Sequence, residues 1–175
     1  MAWTAPEVER PEPVPFGDEH AALTSWLDFY RATLLWKCGG LTLEQLRLRP
    51  IASTPISLLG LVRHLTDVER AWYRNRISGE DAPFHYWLAD GDTDFAGVDD
   101  ADGAADFALF AAECDHSRAV MATRPFDQTL TFANRAGTML TRDVRWVMVH
   151  MVEEYARHLG HADLIREEID GSTGY

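Results

Sequence analysis

The sequence predicts an all-α protein: a four-helix bundle with a Pro-rich N-terminal arm and a long loop between its second and third long helices. Three observations carry this expectation. Four segments of helical length space their apolar residues three and four apart. Each is bounded by residues that start or stop helices. Between them only one short piece alternates apolar and polar residues as a strand does.

Residues 1–17 hold four of the eight prolines and read as an extended arm, leaving 18–175 as one helical domain. From Asp18, Leu23, Trp26, Leu27, Tyr30 and Leu34 mark the first helix, which Gly39 and Gly40 stop. In "LTLEQLRLRP", Thr42 and Gln45 are spaced as a capping box for a short helical turn. The second long helix is expected after Thr54 as N-cap, with Pro55 in first position and Gly79 as the stop. "EDAPFHYWLADGDTDFAGVDD" reads as the long connection, a length that usually signals function or ordering by packing. The third helix is expected from about Ala101 to Thr123. In "FDQTLTFANRAGTML", Leu130 and Phe132 alternate with Thr129 and Thr131, so a short extended piece is expected there. The fourth helix is expected from about Arg142 to Ile169, between Thr141 as N-cap and Gly171 as C-cap.

Length and composition fit one globular domain: 175 residues, 46% hydrophobic and 25% charged. With 16 basic and 28 acidic side chains the formal net charge is −12, which disfavours nucleic acid and anionic membranes as partners. No apolar run is long enough to span a bilayer. Cys38 and Cys114 belong to no CxxC pattern, so neither a disulfide framework nor a cysteine-based zinc site is expected. The N-terminus lacks the basic start and apolar run of a signal peptide, and a cytoplasmic location is expected.

The last helix concentrates ligand-type residues: His150, Glu154, His158 and His161. With Glu154 set at about 0° on a helical projection, Val144, Val147, Met151, Tyr155, Ala162, Ile165 and Ile169 fall between about 20° and 100°. His158 falls inside that apolar stripe, Glu154 on its edge, and His161 and His150 somewhat further out. Glu153, Arg157, Asp163 and Glu167 lie on the solvated side. A carboxylate edging into an apolar stripe needs compensation, by a salt bridge, a hydrogen-bond network or a cation. Its i,i+4 spacing to an imidazole brings both side chains to one place. On the second helix His64 flanks the stripe of Leu58, Leu61, Leu65, Val68 and Trp72. His64, Glu154 and His158 together would suit zinc, nickel or ferrous iron and leave coordination positions open. The bland alternatives are a hydrogen-bonded core histidine and a simple ExxxH side-chain pair. His20, His85 and His116 read as surface or core residues. So do the aromatics Trp72, Tyr73, Tyr86, Trp87, Trp146 and Tyr155, although Trp87 is placed to cover a pocket mouth.

The stretches "LLGLVRHLTDVERAWY" and "RWVMVHMVEEYARHLGHADLIREEIDGSTG", with "FLDFYRATLLWKCGGLTLEQL", resemble the DinB/YfiT-like metalloenzymes, in particular an actinobacterial branch. The resemblance runs from about Asp18 to the end. It implies a bundle whose metal is bound by one residue of the second helix and two of the last. The usual HxxxH of that last helix is here Glu154 and His158, a departure shared with mycothiol-dependent maleylpyruvate isomerase, whose zinc is held by His, Glu and His. Carried over by position, the ligands are His64, Glu154 and His158, and His161, where the wider family usually has Gln, becomes a supporting residue together with His150. The isomerase carries an additional C-terminal domain that these residues do not include, so its reaction is not carried over.

The resemblance further implies a divalent-metal cofactor, zinc first, with mycothiol or a similar low-molecular-weight thiol as co-substrate, a small electrophile as partner, and homodimers. The expected activity is thiol transfer through a metal-activated thiolate. The alternatives are hydrolysis by metal-activated water, and a non-catalytic metal- or ligand-binding bundle of the stress-response kind.

Overall fold

The Asp18 carboxylate accepts a hydrogen bond from the amide of Ala21 and starts α1, Glu19–Cys38, in the computed structural model. The structure describes residues 2–89, 91–134 and 136–174. Asp90, in the expected long connection, and Arg135, in the expected extended piece, lie outside the described residues, as do Met1 and Tyr175. Gly40 follows α1 at φ +74°, which suits a residue without Cβ. Thr42 and Gln45 form the anticipated reciprocal capping box at the head of α2, Leu43–Arg47.

The next helix departs from expectation at both ends. Its N-cap is Ser57, whose hydroxyl accepts from Gly60 N, so Thr54 and Pro55 precede α3, Leu58–Glu69. The chain then continues as a π-helix over Arg70–Ile77, where a regular α-helix to Gly79 was expected. Among the described connection residues, β1, Trp87–Leu88, pairs antiparallel with β2, Gly91–Asp92. Asp102 caps α4, Gly103–Met121. The alternating segment forms β3, Thr129–Ala133, paired antiparallel with β4, Met139–Asp143, with Thr131 opposite Thr141. Thr141 is therefore a strand residue rather than the final N-cap. Asp143 takes that role through Trp146 N, and α5 spans Val144–Asp170. Gly171, at φ +77°, closes it as expected. The all-α expectation is thus corrected to a mostly helical protein with, among the described residues, two small antiparallel hairpins. In β3 and β4 the alternating segment meets a partner strand, with Thr131 and Thr141 hydroxyls 3.0 Å apart across the pair. Among the described residues, no helix is long and apolar enough to cross a membrane.

The long helices pack with α1 along α5 and α3 against α4, while α3 also touches α1 and α5. The anticipated stripe residues Val144, Val147, Met151, Tyr155, Ala162 and Ile165 are buried, with Met148 and Leu159 joining them, whereas Ile169, near the helix end, is only half-buried. On α3 burial goes further than one stripe: every residue of Leu58–Glu69 is buried except His64. The N-terminal arm is extended but docked, with Ala5 N donating to Leu41 O at 2.8 Å and Gly40 N to Ala5 O at 3.0 Å.

Enclosure forces the charged residues of α3 to find partners. Glu69 accepts from Arg31 Nε at 2.8 Å, Arg31 Nη2 at 2.7 Å and the Tyr155 hydroxyl at 2.7 Å, tying α1, α3 and α5 together. Asp67 accepts from three successive amides, His85 at 2.9 Å, Tyr86 at 2.7 Å and Trp87 at 3.0 Å. Arg63 donates to Gly97 O at 2.7 Å and lies 4.3 Å from the Tyr86 ring centroid. The long connection is thereby fastened to α3 near both of its ends.

Glu69→Ala should leave the buried Arg31 guanidinium without its main counterion, at a cost of about 3–5 kcal/mol. Urea denaturation checks this. Glu153→Ala, at an exposed position of α5, is the control and should change stability by no more than about 0.5 kcal/mol.

Candidate metal centre

His64 is the one residue of α3 that is not buried, and it faces α5 where Glu154 and His158 stand one turn apart. One ligating atom from each of His64, Glu154 and His158 lies within 4.8 Å of the other two. The rings of His64 and His158 are 4.7 Å apart between centroids. All three side chains are half-buried, so the cluster sits at the mouth of the α3–α5 seam rather than inside the core.

The state of each side chain can be read from its neighbours. His64 Nδ1 is 2.9 Å from Asp94 Oδ2, and an ionised carboxylate can only accept, so Nδ1 is the donor of this hydrogen bond. Asp94 Oδ2 also accepts from Trp87 Nε1 at 3.0 Å, and Oδ1 from Phe95 N at 2.9 Å. Burial raises the affinity of Asp94 for a proton, but the hydrogen bonds from His64, Trp87 and Phe95 outweigh it and hold the carboxyl below its usual range. His158 has no hydrogen-bond partner among the described residues. Its Nδ1 is buried and unsatisfied, and its Nε2 lies 3.9 Å from Glu154 Oε2, beyond hydrogen-bond reach. Burial, with the neighbouring His64, His161 and Arg157, pushes its pKa down to about 4. The ring is therefore neutral at physiological pH, as a ligand must be.

Among the described residues, the guanidinium near Glu154 is that of Arg157, at 3.6 Å. That arginine is 64% exposed and is better placed on Glu153 at 3.0 Å, so it offers Glu154 little. Two imidazoles, one of them neutral and without a hydrogen bond, facing a weakly compensated carboxylate make a donor set that suits a divalent cation.

His161 lies beside this cluster, its ring 5.5 Å from that of His158 and its Nδ1 buried without a partner. His150 is held elsewhere. It stacks on Trp146 at 5.1 Å, meets Trp72 edge-on at 5.0 Å, and has Nδ1 3.4 Å from Glu153. Of the aromatics read as core, Trp72, Tyr73, Tyr86 and Tyr155 are buried, whereas Trp146 is exposed. Trp87 lines an open cavity of about 410 Å³ beside His64, together with Pro55, Asp92, Asp94, Phe95 and Ala96. A second cavity of about 240 Å³, around Leu27, Arg31, Ser117 and Met121, has its charges already paired: Asp28 accepts from Arg31 at 3.0 Å and from Arg118 at 2.9 Å. Both cysteines are free and buried, and burial pushes the Cys38 thiol up to about 12 and raises Cys114 further, so neither supplies a nucleophile.

Asp94 was not legible beforehand. No periodicity relates a loop residue to a helix residue thirty positions earlier, and the only signal was the aspartate-rich, aromatic character of the connection.

The depressed pKa of His158 has a sign that can be checked. The unfolded chain binds the proton near pH 6.5, the folded chain only near pH 4, so protons favour unfolding between these values. Stability from this residue is complete above about pH 6.5 and is lost as pH falls toward 4. Melting temperatures of chelator-treated protein should fall across that window, and fall less in His158→Gln, which has no such proton to bind.

Comparison of the chain with curated proteins and with solved structures finds no match to either. The model of one family, the mycothiol-S-transferases, matches residues 22–171, a span that includes His64, Asp94, Glu154 and His158. The chain belongs to the mycothiol-S-transferase family, in keeping with the DinB/YfiT-like character of its α3 and α5 sequences.

Proposed function

We propose that the chain is a divalent-metal-dependent transferase that joins mycothiol, or a closely similar low-molecular-weight thiol, to a small electrophile. His64, Glu154 and His158 would hold the metal. We further read the packing of α1, α3, α4 and α5 as the DinB-like four-helix bundle. The observation that carries the reading is the convergence of three ligating atoms from two helices within 4.8 Å, in a chain of the mycothiol-S-transferase family. Zinc is the first candidate for this donor set, with nickel and ferrous iron as alternatives.

A bound divalent cation would supply Lewis acidity, holding a thiol as its nucleophilic thiolate at neutral pH. The residues of the chain account for the rest. One carboxylate and two imidazoles that ligate as neutral rings would leave a dication with a net charge of +1, which would favour one further anionic ligand such as a thiolate. Three protein donors would leave room for it. Trp87 and Phe95 wall the adjoining cavity of about 410 Å³ and keep part of the water away from the attacking sulfur. In the transfer a carbon–sulfur bond forms, the bond from that carbon to the leaving group breaks, and the thiol proton passes to solvent. No protein thiol is required, consistent with the burial of Cys38 and Cys114.

Monobromobimane with mycothiol provides the assay, bromide being the leaving group. Consumption should require protein, thiol and metal together, stop on chelation and return with added metal. Bound metal should fall from about one ion per chain to none detectable in His64→Ala, Glu154→Ala and His158→Ala. His150→Ala and His161→Ala should retain it. If the three ligand variants keep their metal the assignment is wrong. Turnover of hydrolysable substrates without thiol would favour the hydrolase instead, and a metal-loaded protein inactive in both assays would favour a binding module.

A further inference from the structure

A metal ligand performs well only if its ring is held in the correct tautomer and orientation, a task usually done by a neighbouring acceptor on the other ring nitrogen. His64 has such a neighbour, contributed by the loop rather than by the helices. Asp94 is buried, 6% exposed, and both of its oxygens are occupied by donors from three residues. Oδ2 receives His64 Nδ1 at 2.9 Å and Trp87 Nε1 at 3.0 Å, while Oδ1 receives Phe95 N at 2.9 Å. The His64 ring also stacks on Phe95, with centroids 5.4 Å apart at 28°, and meets Trp87 at 5.6 Å. Trp87 is fixed in turn, because its backbone amide donates to the buried Asp67. A continuous chain of hydrogen bonds thus runs from Asp67 through Trp87 and Asp94 to His64.

We propose that Asp94 is a positioning residue of the centre: it fixes His64 as the Nδ1–H tautomer with Nε2 turned toward Glu154 and His158, and the Trp87 indole holds Asp94 in place to do so. The proposal rests on the reading of His64, Glu154 and His158 as metal ligands and extends it to the loop. It also explains why a loop of this length is tied so firmly to α3.

The donor count makes Asp94→Asn a stringent probe. Three N–H groups converge on the two carboxylate oxygens, so an amide must turn its own NH₂ toward either Phe95 N–H or the His64 and Trp87 donors. Asparagine keeps the shape but cannot satisfy the set.

The test uses the full chain and two readouts. In the first, zinc affinity is measured by competition with a chromophoric chelator. Asp94→Asn and Asp94→Ala should weaken binding by about 10- to 100-fold, and Trp87→Phe by less in the same direction. In the second, long-range ¹H–¹⁵N NMR of the apo protein reports the tautomer. His64 should be protonated at Nδ1 in the wild type and shift toward Nε2–H in Asp94→Ala. Zinc affinity in Asp94→Asn and Asp94→Ala equal to that of the wild type would overturn the proposal, as would an Nε2–H tautomer in the wild type. Should the wild type bind no metal, the metal reading itself fails. The tautomer measurement still decides whether Asp94 orients His64.

Discussion

Helix α3 is enclosed on every side, and most of the structure follows from what that enclosure demands. A helix with one buried stripe can leave its charges in water. One buried all round cannot, and each polar side chain must meet a partner within the protein. Glu69 draws in Arg31 and Tyr155 from two other helices. Asp67 gathers three loop amides, and Arg63 reaches a loop carbonyl and the face of Tyr86. Described residues of the connection between α3 and α4 are fastened to α3 for this reason. The single opening in the enclosure is His64, and there α3 meets the ligand-type residues of α5.

The same enclosure sets the electrostatics of the centre. Burial and like-charged neighbours keep His158 neutral well below physiological pH, leaving the lone pair of one ring nitrogen available. Glu154 is only weakly matched by the exposed Arg157. Nearby Asp94 is fully matched by three donors and stays anionic. Two carboxylates therefore stand near a pair of imidazoles, Asp94 saturated with hydrogen bonds and Glu154 only weakly paired. That asymmetry suits the first to orienting His64 and the second to meeting a cation.

Much of this was legible before the structure was known. The 3.6-residue periodicity of α5 located its buried face, and with it the inward lean of Glu154 and His158. The flank position of His64 followed from the apolar stripe of α3. The capping box at Thr42 and the glycine stop at Gly171 were local signals with local outcomes. Where nearby residues competed for one role, the sequence reading slipped. Ser57 displaced Thr54 and Asp143 displaced Thr141, because capping depends on where the first turn packs as well as on side-chain type. The π-helix over Arg70–Ile77 left no pattern distinct from an α-helix. The hairpin between α4 and α5 appeared only as a short alternation, too brief to show that its two halves pair. Asp94 and its hydrogen bonds belong to the tertiary structure alone.

The proposed function requires that a divalent ion held by His64, Glu154 and His158 keep a position open for a thiol. The most direct test is to load the protein with cobalt(II), whose spectrum reports its ligands, and to titrate it with mycothiol. A near-ultraviolet sulfur-to-cobalt charge-transfer band that saturates at about one thiol per bound cobalt is predicted for the wild type, and no band for Glu154→Ala. A cobalt-loaded wild type whose spectrum does not respond to the thiol would contradict the account.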